Sequence, residues 1–214
     1  MVHIQKFEFN LFRENTYVFW DDSLRAAVVD PGCDREAEKK LLKEFITQKG
    51  LRIEAILLTH AHPDHIAGVR MLADLSGAPV YMDPKEEETF KYNGRIAALG
   101  IPLPESFEYK AVAENDEIVC GDIRFKAIST PGHSPGGMCY LIEKENIILT
   151  GDTLFRGAIG RTDNDYASLD DIMDSLLLKL MALDGDIRVL PGHGPVTDIA
   201  TERLTNPFLY ADED

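Results

Sequence analysis

Apolar and polar residues alternate from the start of the chain. "VHIQKFEF", "TYVFW" and "RAAVVD" carry hydrophobic side chains at alternate positions or in short runs, and predict an antiparallel group of strands. The period then changes. "DREAEKKLLKEFITQKG" sets Ala37, Leu41, Leu42, Phe45 and Ile46 along one helical face, with Asp34 as N-cap and Gly50 beyond the last turn. "IEAILLT" predicts a short buried strand, "IAGVRMLADLSG" a helix and "PVYM" another strand, after which Asp83, Pro84 and Glu86 start a further helix. Strand-like runs return in "DEIVC", "DIRFKAIST", "GMCYLIE" and "NIILT". "SLDDIMDSLLLKLMALDG" is the clearest helix, with Ser168 and Asp171 in a capping pattern. Its core face is Leu169, Ile172, Met173, Leu176, Leu180 and Leu183. "DIRVLPGHGP" adds a last strand and loop. Two strand-rich halves, each joined to helices, predict an α/β (α+β) fold of two packed sheets with helices outside.

Composition narrows the class. The 214 residues, 44% hydrophobic and 28% charged, suit one globular domain over residues 1–214 with a substantial core. No apolar run approaches the ~20 residues that span a bilayer. The opening "MVHIQKFEFNLFREN" reads as a first strand and not a secretory signal, so a cytoplasmic chain is expected. The net charge of −15, from 22 basic and 37 acidic side chains, opposes binding to nucleic-acid phosphates or to anionic membranes. A small molecule is the expected partner; oligomeric state is not encoded in these patterns. Cys33, Cys120 and Cys139 are too few and too widely spaced for a disulfide framework or a metal knuckle, and read as reduced, buried thiols.

The candidate chemistry lies in "LLTHAHPDHIAGV". Three of the chain's six histidines, His60, His62 and His65, crowd into this loop with Asp64. Imidazoles held this close gain little by packing and repel when charged, whereas neutral imidazole and carboxylate are ordinary ligands of divalent transition metals. The remaining loaded residues also sit where strands end: His133 in "STPGHSPGG", Asp152 in "LTGDTLF" and His193 in "LPGHGP". Loops at strand ends let a rigid scaffold gather groups that are distant in sequence. His3 lies within the first strand and reads as structural.

In this order H-x-H-x-D-H, G-H, G-D and G-H resemble the metallo-β-lactamase-fold hydrolases. Together with "VVDPG", they are similar to the glyoxalase-II-like branch, the hydroxyacylglutathione hydrolases, over roughly Asn15 to Pro207. The resemblance implies a four-layer αββα sandwich of two mixed sheets with metals at one edge. It implies a first ion on His60, His62 and His133, a second on Asp64, His65 and His193, and a bridging Asp152. Asp64 and Asp152 are then the carboxylates on which catalysis depends. The implied cofactor is a pair of divalent ions, zinc first, with iron or manganese accepted by the same donors. The implied reaction is hydrolysis of a thioester such as S-lactoylglutathione by a hydroxide held between the ions. β-Lactam hydrolysis is disfavoured, since the eponymous enzymes lack a bridging ligand of the Asp152 type. A mononuclear-iron persulfide dioxygenase uses a subset of the same ligands and stays open as the alternative; a non-catalytic metal-binding protein is the third reading. Only 21 residues follow His193, so the helical extension of glyoxalase II proper is not expected and the chain looks like the short bacterial relatives. Arg161 in "GAIGRTD" is the candidate anchor for a substrate carboxylate, with a loop-fixing salt bridge as its competing role. Asp30 is expected to buttress the metal loop through hydrogen bonds, and Asn15, Thr16 and Tyr17 to serve strand packing and a turn.

Overall fold

Strands whose two faces are both apolar generate the layers of this protein. In the computed structural model, which describes residues 1–97, 100–101 and 106–210, fourteen strands form two six-stranded sheets and a small hairpin. The first sheet holds β1 (His3–Phe9), β2 (Glu14–Trp20), β3 (Arg25–Val29), β4 (Arg52–Leu57), β5 (Val80–Met82) and β6 (Lys110–Ala111), in that spatial order. The first three strands are antiparallel, as their alternation predicts, and β3 to β6 run parallel. Parallel neighbours need crossovers. These carry α1 (Glu36–Lys49), then α2 (Pro63–Ile66) with α3 (Val69–Ser76), then α4 (Glu86–Ala97).

The second sheet contains β7 (Glu117–Cys120), β8 (Ile123–Ser129), β9 (Met138–Ile142) and β10 (Ile147–Gly151). The hairpin β11 (Leu154–Phe155) and β12 (Ala158–Ile159) and the helix α5 (Leu169–Asp174) then intervene. The sheet is completed by β13 (Arg188–Pro191) and β14 (Thr197–Asp198), before α6 (Ile199–Thr205). Its spatial order is β14-β13-β10-β9-β8-β7, with only β10 and β13 parallel.

Side chains at alternate positions separate the layers. Tyr17, Phe19, Val29 and Leu57 of the first sheet meet Phe125, Tyr140, Ile147 and Leu149 of the second. The intervening Val18, Ala26, Val28 and Ile56 face Leu42 and Ile46 of α1 and Val69 and Leu72 of α3. On the far side Cys139, Leu141, Ile148 and Val189 pack against Ile172, Leu176, Leu180 and Ile199. Each fully buried Leu, Ile, Val or Phe contributes about 1.5–3 kcal/mol, so these three interfaces dominate the stability. The result is the expected αββα sandwich. Among the described residues, no helix is long and apolar enough to cross a membrane.

Local expectations depart in four ways. The first helix begins after Arg35, and the Glu38 carboxylate, not Asp34, satisfies the entering N–H groups of Asp34 and Arg35, at 3.1 and 3.4 Å. Leu41 and Leu169 are 50% and 56% exposed and lie off the packed faces. The helix after the histidine loop is cut in two at Gly68, where a Cβ would lie 2.4 Å from Cys33 Sγ. The clearest helix also changes character, because Ser175–Leu180 is π-helical. That wider turn keeps Leu176 and Leu180 inside and turns Leu177 and Leu178 outward.

Candidate metal centre

The histidine loop follows β4 directly, and its conformation divides its ligands. His62 is extended (φ −66°, ψ 146°) and caps α2, whose first residue Pro63 starts the turn that carries Asp64 and His65. His60 and His62 therefore point one way and Asp64 and His65 another. Loops after β8, β10 and β13 bring in His133, Asp152 and His193.

Two donor sets result. His62 Nδ1 lies 2.9 Å from His60 Nε2 and 3.0 Å from His133 Nε2. His193 Nε2 lies 3.2 Å from both His65 Nε2 and Asp64 Oδ2. Asp152 stands between the sets, with Oδ1 3.4 Å from His65 Nε2 and Oδ2 3.6 Å from His133 Nε2 and 3.5 Å from His193 Nε2. All seven residues expected from the sequence are thus in one place. Donors about 2.1 Å from a tetrahedral ion stand ~3.4 Å apart, close to the spacing seen within each set.

Outer hydrogen bonds fix how these rings are protonated. His133 Nδ1 meets the Arg161 carbonyl at 2.9 Å, and His193 Nδ1 meets the Phe12 carbonyl at 3.0 Å. His65 Nδ1 meets Asp30 Oδ2 at 3.0 Å. Thr59 Oγ1 donates to Asp30 Oδ2 at 2.6 Å and so can only accept from His60 Nδ1, 3.1 Å away. In these four rings the outer nitrogen donates, which leaves the inner nitrogen to receive a cation or a second proton. His62 Nε2 contacts the Tyr166 hydroxyl at 2.5 Å.

Electrostatics separates the two sets. Burial, reinforced by the neighbouring imidazoles, holds His60 well below the usual histidine range and His62 down at about 3. Burial also lowers His133, against the pull of Asp152. At His65 and His193 burial is outweighed by Asp152 and Asp64, and their pKa values rise. Asp152, although burial works against its charge, is held well below the carboxylate range by His193 and His65. The second set therefore attracts positive charge, while the first offers neutral ligands. Asp152 Oδ1 is buried without a hydrogen-bond partner. Such an atom costs free energy unless something cationic satisfies it. The donor set fits a pair of divalent ions.

The surrounding backbone is built for close approach. A Cβ on Gly192 would lie 2.4 Å from Asp152 Oδ1, so only glycine fits there. Asp30 could in principle ligate with His60 and His65. Its oxygens already accept from the Thr59 N–H at 2.8 Å, the Thr59 hydroxyl and His65, so it buttresses. The "ENTY" segment does more than pack. Asn15 Nδ2 donates to the Pro191 and Gly194 carbonyls, and Thr16 Oγ1 to the Asp30 carbonyl, bracing the His193 loop and the loop of the buttressing Asp30. Arg161 lines the cleft above the histidines, but its guanidinium grips Asp163 with two bonds of 2.6 and 2.8 Å. Tyr166, Phe12 and Glu86 also hold the site and were not singled out as site residues from the sequence. Two of them act through a backbone carbonyl or a lone ring contact, which leaves no motif.

The cleft has a volume of about 320 Å³ and is flanked by Phe12, Arg161 and Asn164. A larger hollow of about 800 Å³ beside Arg70 and Phe107 contains none of the histidines, so size alone does not locate the chemistry here.

Comparison with known proteins agrees with this geometry. The family model described as "Metallo-beta-lactamase superfamily" matches residues 10–193. The "Hydroxyacylglutathione hydrolase GloC" of Haemophilus influenzae is 32% identical over 203 residues, 92% of this chain and 93% of the relative. The crystal structure of "BLEG-1 B3 metallo-beta-lactamase" superposes with a TM-score of 0.89 at 33% identity, covering 98% of this chain and 100% of that one. That of "TTHA1623 in a di-iron-bound form" gives 0.83 at 34% identity, covering 96% and 100%. The second of these solved structures holds iron, so the fold does not single out zinc.

Proposed function

This chain belongs to the metallo-beta-lactamase superfamily, and from that premise we propose that it is a dinuclear metallohydrolase cleaving thioesters of the hydroxyacylglutathione type. The observation that carries the reading is the buried Asp152 Oδ1, without a hydrogen bond, set between two histidine groups at the base of the cleft. His60, His62 and His133 would hold one ion, Asp64, His65 and His193 the other, and Asp152 would join them. Bound there, two divalent ions supply an activated water at neutral pH and Lewis acidity toward a carbonyl oxygen.

The chain's own groups do the remainder. Asp64, with only 10% of its side chain exposed and Oδ2 3.2 Å from His193 Nε2, would hold the second ion and help orient the attacking water. Thr59, Asp30 and the Phe12 and Arg161 carbonyls keep the imidazoles in one tautomer and one orientation. Phe12 and Asn164 flank the acyl group, and Arg161 is the anchor for a carboxylate on the thiol or acyl portion. Attack on the acyl carbon breaks the C–S bond, and the electron pair leaves on sulfur. Thiols ionise near ~8.5, so this leaving group departs without a general acid. A β-lactam nitrogen needs a proton as it leaves, which makes the thioester the less demanding substrate for this site.

Two other chemistries have specific support. Similarity to the B3 enzyme keeps β-lactam hydrolysis, disfavoured from the sequence, among the activities to test. The solved structure of "ETHE1 from Myxococcus xanthus", 26% identical with a TM-score of 0.78, does the same for iron-dependent persulfide oxidation. Elemental analysis of metal-replete protein, with S-lactoylglutathione, a chromogenic cephalosporin and a persulfide under oxygen monitoring as substrates, separates them. The reading expects about two ions per chain and thioester hydrolysis that chelation abolishes and metal restores. One ion per chain with persulfide-dependent oxygen uptake replaces it with the dioxygenase.

A further inference from the structure

The helix α4 presents an unusual face to the interior. Glu86, Thr89 and Asn93 stand at i, i+3 and i+7, the spacing of a core-facing stripe, and all three are fully buried. Leucine or alanine is expected on such a stripe, because a buried carboxylate or amide costs several kcal/mol unless it is bonded. The partners of Glu86 and of the Asn93 amide nitrogen show what this face holds. Glu86 Oε2 accepts the Ala61 N–H at 2.7 Å, and Asn93 Nδ2 donates to the Ala61 carbonyl at 2.8 Å. Ala61 separates His60 from His62, so these bonds grip both peptide units that join the two histidines. Glu86 Oε1 accepts the Gly136 N–H at 2.8 Å, in the loop that carries His133. One carboxylate therefore ties together the two loops that supply the first donor set. Tyr92, beside Asn93 on α4, packs against Tyr166 at 5.0 Å between ring centroids with the rings tilted by 49°, and the Tyr166 hydroxyl meets His62 Nε2. No comparable bond runs from α4 to Asp64, His65 or His193 among the described residues.

We propose that Glu86 and Asn93 are positioning residues for the first metal set: α4 sets the spacing of His60, His62 and His133 through the Ala61 and Gly136 peptides. The proposal rests on the dinuclear reading above. It predicts an asymmetric effect, in which loss of these bonds loosens the first ion and spares the second, whose ligands are braced by Asp30 and the Phe12 carbonyl.

Competition with a chelator tests it on the intact protein loaded with zinc. Wild type, Glu86→Gln, Asn93→Ala and the exposed control Glu88→Gln are compared by ions retained per chain and by circular dichroism. Cobalt-loaded samples report the ligand field of each set through their visible spectra. Glu86→Gln puts an amide N–H against one of the backbone N–H groups that the carboxylate accepts. Both site variants should surrender their first ion at roughly 10–100-fold lower chelator affinity than wild type. Their second ion, their far-ultraviolet spectra and the Glu88→Gln control should match wild type. Wild-type affinity and cobalt spectra in both variants overturn the proposal while leaving the dinuclear reading intact, and so does equal weakening of both ions. A wild-type protein that binds no ion overturns the dinuclear reading and this proposal with it. Should Glu86→Gln fail to fold, Asn93→Ala, which removes a single neutral bond, decides the matter alone.

Discussion

Asp152 keeps one buried oxygen without a hydrogen bond while histidines from both donor sets lie within 3.6 Å of its carboxylate. Asp152→Ala should therefore reduce bound metal from about two ions to one or none and lower thioester turnover at least ~1,000-fold, since the activated water is lost with the ions. Elemental analysis and steady-state kinetics measure both; near-wild-type turnover at limiting metal would exclude a bridging role. Arg161 poses a different question at the same scale. Its guanidinium is 65% exposed and already paired with Asp163, so a substrate carboxylate must displace or share that partner. A lost charge-assisted bond costs about 1.5–3 kcal/mol, so Arg161→Ala should lower kcat/KM roughly 10–150-fold for carboxylate-bearing thioesters and much less for uncharged ones. Asp163→Asn, which frees the guanidinium, should move in the opposite direction. Equal losses on both substrate types would assign Arg161 to loop fixation, through the carbonyl that already holds His133.

Elements whose identity rests on local patterns were legible in the sequence, and elements set by tertiary contacts were not. The β1–β2–β3 group, the buried strand before the histidine loop and the Ser168 cap followed from alternation and capping chemistry. The seven candidate ligands were legible as a group because imidazoles in this density have few other uses. Gly68 was read through as helix because Cys33, whose sulfur demands a glycine there, is 35 positions away. The π segment is invisible to a 3.6-residue period, and α4's buried polar face reads as surface until Ala61 and Gly136 are placed against it. Asp21 belongs with these hidden residues. It ends the β2 strand, is buried, and accepts from the Ser23 and Arg25 N–H groups, the Ser23 hydroxyl and the Asp122 N–H of the other sheet. Burial works against its charge, but these bonds prevail and lower its pKa to about 2. A carboxylate depressed on folding stabilises above its unfolded value near ~3.8 and loses that contribution as pH falls toward the folded value. Asp21→Asn should therefore destabilise by about 1–3 kcal/mol at pH 7, with the difference from wild type shrinking between pH 4 and 2. Urea titrations across that range measure it, and a difference that does not vary with pH would mean that the charge of Asp21 is not what ties the two sheets together.

At the scale of the whole molecule the candidate metal centre joins the edges of two sheets. His60, His62, Asp64 and His65 follow β4 of the first sheet, and His133, Asp152 and His193 follow β8, β10 and β13 of the second. The hydrophobic layer between the sheets does not depend on the ions, because Phe19, Phe125, Tyr140 and Leu149 are buried against one another regardless. Removing metal should therefore leave a folded chain with the same secondary structure at 25 °C but a lower melting temperature. An ion present at ~1,000 times its dissociation constant stabilises by about 4 kcal/mol, hence about 8 kcal/mol for two. For a chain of this size each kcal/mol shifts Tm by roughly 2–4 °C, so chelation should lower Tm by about 15–30 °C. Part of the loss should return with protons, since His65 and His193 can take up positive charge between Asp64 and Asp152 when no ion is present. The apo protein should accordingly lose less stability below pH 6 than at pH 8, because a histidine whose pKa is raised on folding stabilises most below its unfolded value. Calorimetry of apo and metal-replete protein at the two pH values tests both statements. A chelator-independent Tm would show that no ion bridges the sheets, and a pH-independent apo Tm would show that the second donor set carries no compensating protons.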